Sequence, residues 1–107
     1  MKILISPGFG AGWSTWNYNK DVARYMLTYQ PIIEYLETGG RASKLTEEHE
    51  LIKQLVKECE EKFNEKSVCI LGADDLVVRE VSSPFKINEY DGAETIITPG
   101  DLIWITE

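Results

Sequence analysis

The dipeptide Asp91-Gly92, set between Phe85-Lys86-Ile87-Asn88-Glu89-Tyr90 and Ala93-Glu94-Thr95-Ile96-Ile97, constrains this chain more than any other feature. Asp-Gly between alternating apolar residues supplies the two positive φ values of a type I′ turn, which predicts a tight β-hairpin. A two-residue turn also fixes the register: Tyr90 faces Ala93, Glu89 faces Glu94, Asn88 faces Thr95 and Ile87 faces Ile96. Because side chains alternate, Phe85, Ile87 and Glu89 share a side with Glu94, Ile96 and Thr98. Two carboxylates therefore become neighbours on one face. Like charges placed opposite each other cost a sheet roughly 0.2 to 1 kcal/mol, so the pair needs a cation, a proton or solvent. Arg24, Arg41 and Arg79 are the candidate cations, and a hairpin tip standing in water is the alternative.

The remaining elements follow from local pattern. Lys2 to Ser6 reads as a first strand stopped by Pro7-Gly8. The stretch from Pro7 to Tyr18 carries too many glycines for a regular element and reads as a loop. Asn19 is a helix cap ahead of the apolar stripe Val22, Ala23, Met26 and Leu27. Pro31 implies a kink or a fresh helix with Gln30 as its cap, closed by Gly39-Gly40. Thr46 is expected to cap the longest helix, with Glu47 and Glu48 in its first turn and Leu51, Ile52, Leu55, Val56, Cys59 and Phe63 buried. Lys53, Lys57, Glu58, Glu61 and Lys62 take its outer side. Val68 to Leu71, Leu76 to Val81, Phe85 to Tyr90, Glu94 to Thr98 and Leu102 to Thr106 read as further strands. The expected architecture is α+β in one domain spanning residues 1–107: a largely antiparallel sheet of five to six strands with two to three helices packed on one face.

Composition narrows the function classes. A formal charge of −7 repels phosphate backbones and argues against direct nucleic-acid binding. No apolar run of about 18 residues is present, which predicts no membrane span. The opening residues are too short an apolar stretch for a signal-peptide core, and two cysteines form no disulfide framework, so a reducing cytoplasm is expected. The Gly8-Phe9-Gly10-Ala11-Gly12 run is spaced G-x-G-x-G rather than G-x-G-x-x-G and precedes no βαβ unit, and no phosphate-binding G-x-x-x-x-G-K-[ST] loop occurs. His49 has no ligand-spaced companion and reads as a solvated surface side chain. Neither a metal nor a cofactor is assigned.

Two groups of residues are left as candidates. Phe9, Trp13, Trp16 and Tyr18 place more aromatic surface in one loop than a turn needs, either to cap the core or to offer flat faces to a ligand or partner. Glu89, Asp91 and Glu94 at the hairpin are a cation site, a recogniser of hydroxyl or amino groups, an acid and base pair, or solvated charges.

The segments Gly10-Ala11-Gly12-Trp13-Ser14-Thr15-Trp16 and Phe85 to Glu94 resemble a group of small proteins encoded by tailed bacteriophages and prophages. That resemblance implies a host-cytoplasmic setting and an accessory role such as countering host defence; it transfers no catalytic residue. The leading expectation is a non-catalytic binding protein that sequesters a small nucleotide-like host signal. Its site would join Phe9, Trp13, Trp16 and Tyr18 to Glu89, Tyr90, Asp91 and Glu94, with Arg24 or Arg41 offsetting phosphate. The alternatives are an acidic inhibitor covering a basic site of a host defence protein and a small carboxylate-dependent hydrolase. A homo-oligomer would help build a pocket, although no sequence feature shows one.

Overall fold

A computed structural model of the chain describes residues 1–82 and 84–99. Its elements run β1 (Lys2–Ile5), α1 (Lys20–Leu27), α2 (Gln30–Glu37), α3 (Glu50–Phe63), β2 (Val77–Glu80), β3 (Lys86–Tyr90) and β4 (Ala93–Ile97), with short 3-10 turns at Ser14–Trp16, Ala42–Lys44 and Leu71–Asp75. The class is α+β, but the expected single sheet of five to six strands is not what forms. The described strands make two separate antiparallel pairs, β1 with β2 and β3 with β4. The chain at Val68 to Ile70 joins no ladder, because the Asn17 carboxamide takes the place of a neighbouring strand. It accepts from the Cys69 N–H at 2.8 Å and donates to the Cys69 carbonyl at 3.1 Å. Leu71 then enters a 3-10 turn instead of closing a strand. The expected strand at Leu102 to Thr106 lies outside the described residues.

β1 explains how two small sheets share one molecule. Its Ile3-Leu4-Ile5 run is apolar on both faces, the pattern of a strand covered from both sides. Leu4 faces a cluster that contains Val22, Met26, Ile32, Ile33, Ile52, Leu55 and Cys59 from the three helices. Ile3 and Ile5 point the other way and join Val81, against which Phe85, Ile87 and Ile96 of the hairpin pack. The β1–β2 ribbon is therefore a middle layer, with helices on one side and the hairpin on the other.

The helix starts are set by their caps. Asn19 Oδ1 accepts from the N–H groups of Asp21 and Val22, at 3.0 and 3.2 Å, and opens α1 as expected. In α2 the cap is Tyr29, and Gln30 and Pro31 fill the first two helical positions, one residue earlier than expected. In α3 the cap is His49, not Thr46, and this overturns the reading of His49 as a solvated side chain. Its Nδ1 accepts from Leu51 N–H at 3.1 Å while the ring meets Tyr35 edge-on at 5.1 Å. Thr46 instead closes a preceding turn, accepting from His49 N–H at 2.9 Å through its carbonyl. Glu58, expected on the outer face of α3, ties α3 to α1: it accepts from the Tyr25 hydroxyl and, at 3.1 Å, from Gln54 Nε2. The Tyr25 bond holds the Glu58 carboxyl below its usual range.

Candidate functional site

The hairpin forms in the expected register, with Glu89 opposite Glu94. Asp91 and Gly92 both take positive φ, 50° and 86°. The facing glutamates then have opposite fates. Glu94 is fully buried at 0% exposure, whereas Glu89 lies at the surface.

No cation balances Glu94: among the described residues no ion pair includes it. Hydrogen-bond donors from Ser6, just past β1, and from the glycine-rich loop take that part. Oε1 accepts from Ser6 N–H at 2.9 Å, and Oε2 accepts from Trp13 N–H at 2.9 Å, Thr15 N–H at 3.1 Å and the Thr15 hydroxyl at 2.5 Å. Three backbone amides and one hydroxyl thus converge on one carboxylate, which is how a charge can be buried without a counter-ion. The Glu94 backbone N–H adds a bond to Ser6 carbonyl at 2.9 Å, joining the end of β1 to the start of β4. Arg24, Arg41 and Arg79, the expected cations, are not the compensation.

Further contacts complete the attachment of the loop. Gly10 N–H donates to the Asp91 carbonyl at 2.8 Å, and Gly8 N–H donates to Asp75 Oδ2 at 2.5 Å. Glycine is required at the closest approaches. A Cβ on Gly92 would lie 2.4 Å from Ala11 N, and one on Gly72 would lie 2.7 Å from the Gly12 carbonyl group. The loop runs between these two glycines, with the hairpin turn on one side and the Leu71–Asp75 turn on the other.

The aromatic residues divide into two kinds. Trp13 is sealed in the helical core at 0% exposure, its indole N–H donating to the Met26 carbonyl at 3.1 Å. It caps the core and presents no face to a ligand, contrary to its expected part in a binding site. Glu94, likewise expected to touch a ligand, is enclosed with both oxygens occupied and serves to hold the loop. That arrangement also removes it from the hydrolase reading, since an acid or base must reach its substrate.

Trp16, only three residues beyond Trp13, is 36% exposed and donates its indole N–H to Glu89 Oε2 at 3.1 Å. Tyr18 is fully exposed, and with Thr15, Trp16 and Asn17 it lines a recess of about 330 Å³. Phe9 and Tyr90 are 74% and 75% exposed and meet edge to face, centroids 6.4 Å apart. Since Tyr90 and Glu89 are successive strand residues, the Phe9–Tyr90 pair and Trp16 lie on opposite faces of the hairpin tip.

The two arginines sit elsewhere. Arg24 is exposed on α1 and pairs with Asp21 at 3.6 Å. Arg41 is exposed, and its carbonyl accepts from the Tyr35 hydroxyl at 3.0 Å. Among the described residues, no hydrogen bond or ion pair links either to the loop or the hairpin. Ser6, Thr15, Asn17 and Asp75 position the site and were not singled out from sequence. Backbone amides do much of the holding, and these leave no mark on residue identity.

Glu89 has a measurable signature. The Gly92 N–H at 2.7 Å, followed by the Trp16 indole, holds its carboxyl below the ordinary value of 4.5. A carboxyl with a depressed folded value stabilises fully above its unfolded value and loses that contribution as pH falls through the folded one. Glu89→Gln is expected to narrow the stability difference between pH ~6 and pH ~3, read from urea midpoints. An unchanged difference would show that these two bonds do not persist in solution.

Comparison with protein-family models, curated proteins and solved structures finds no match to this chain. Among the described residues no cluster of three or more His, Cys, Asp or Glu side chains is placed to hold a metal, and no helix is long and apolar enough to cross a membrane.

Proposed function

We propose that this chain is a binding protein whose hairpin tip and aromatic loop dock on a basic protein surface. The observation that carries this reading is the composition of the tip. Phe9 and Tyr90 on one face of the tip, and Trp16 with its neighbour Tyr18 on the other, are exposed, and neither Glu89 nor Asp91 takes part in an ion pair among the described residues. Exposed aromatics set on a fixed scaffold are the residue types that anchor protein interfaces, and a loop already held in place loses little entropy on binding. A net charge of −7 would speed encounter with a basic partner and make the association salt-dependent. A phage accessory role, in which the chain covers a basic site of a host defence protein, is the setting that the resemblance of its two segments supplies.

A second reading, the sequestration of a nucleotide-like signal, is favoured by the recess of about 330 Å³ beside Trp16 and Tyr18, within the size range of small-molecule sites. Calorimetry with cyclic and linear nucleotides, beside native mass spectrometry of the chain from infected cells, separates the two. Docking predicts no heat with any nucleotide and a retained protein that is lost on Phe9→Ser with Tyr90→Ser. Micromolar nucleotide binding with no protein retained would replace docking by sequestration.

A further inference from the structure

The Trp16 ring is held from two directions. Gly12 lies against the indole so closely that a Cβ there would stand 2.6 Å from Cδ1 and 3.0 Å from Nε1. The indole N–H is fixed on Glu89 Oε2. The close approach of Gly12 and the bond to Glu89 hold the ring in place, and Trp16 lines the recess together with Thr15, Asn17 and Tyr18. Glu89 is also asymmetric: Oε2 takes both the Gly92 and Trp16 donors, while Oε1 has no partner among the described residues. The recess is lined by a fixed indole and an exposed phenol ring, without a cation, and the carboxylate bonded to that indole keeps one oxygen without a partner among the described residues.

We infer that this recess receives an arginine side chain of the partner protein, its guanidinium plane over the Trp16 ring and one N–H donating to Glu89 Oε1. The inference rests on the docking reading and names the group that reading would anchor. A planar cation satisfies both features at once: the π face attracts it and the carboxylate accepts from it. Lysine offers a point charge that cannot stack, and a phosphate would meet Glu89 with no cation to offset it.

The test is a titration of the ¹⁵N-labelled chain with N-acetyl-arginine amide, following the Trp16 indole N–H resonance by NMR. The neutral isostere N-acetyl-citrulline amide and the lysine analogue are run in parallel. A saturable shift of the Trp16 signal with the arginine probe, several-fold weaker with lysine and abolished with citrulline, is expected, while the Trp13 signal stays still. Glu89→Gln should remove the response, and an unmoved Trp13 resonance would show that this variant keeps its fold. Equal shifts with citrulline, or none with arginine, overturn the arginine anchor. The docking reading is decided separately, by whether a retained protein is lost on Phe9→Ser with Tyr90→Ser.

Discussion

Glu94→Ala is expected to lower the unfolding free energy by about 3–5 kcal/mol, a large share of the roughly 5–15 kcal/mol available to a domain of this kind. The substitution removes the acceptor of four donors at once. Ser6 N–H and Trp13 N–H lie at buried residues, so they lose a partner that water replaces only if the loop opens. Glu94→Gln separates charge from shape. It keeps one carbonyl oxygen, which can serve the three donors now at Oε2, but turns its own NH₂ toward Ser6 N–H. A loss of about 1–3 kcal/mol is therefore expected for Gln. Urea unfolding at neutral pH measures both. An alanine variant within about 1 kcal/mol of the parent would mean that the loop is held by other contacts.

Trp13→Ala should cost about 3–5 kcal/mol, whereas Trp16→Ala should cost less than about 1.5 kcal/mol. The first opens a cavity in a core shared by all three helices and takes a donor from the Met26 carbonyl at the end of α1. The second removes a ring that is 36% exposed and one surface hydrogen bond. Stability and binding should therefore separate: Trp16→Ala keeps most of its stability and, on the docking reading, loses the partner, while Trp13→Ala is strongly destabilised. Denaturant titration of the two variants settles the order, and comparable losses would contradict the burial described here.

That contrast also shows where sequence reasoning reached its limit. Trp13 and Trp16 are identical residues three positions apart in a loop with no periodicity, so nothing local distinguishes the one that turns inward. The hairpin register was legible because Asp91-Gly92 admits few turn geometries, and α1 was legible because Asn19 and its apolar stripe act within a few residues. The strand expected near Val68 failed because its backbone partner is a side chain, Asn17, about fifty residues earlier. His49 displaced Thr46 as a cap because Tyr35, on another helix, packs against its ring. Arg24 and Arg41 entered the expected site on charge alone, and the fold placed them away from it. The Glu89–Glu94 facing was read from alternation, but its resolution was not, because three of the four donors that stabilise Glu94 are backbone amides, common to all residues but proline.

The bond between Ser6 and Glu94 spans 88 positions, most of the length of the chain. Contacts of such separation form late, since loop closure must precede any reward from them. During synthesis the amino-terminal loop leaves the ribosome long before the hairpin that fastens it. The loop therefore stays unfastened until Glu94 has emerged, and a chain cut short of that residue cannot close it.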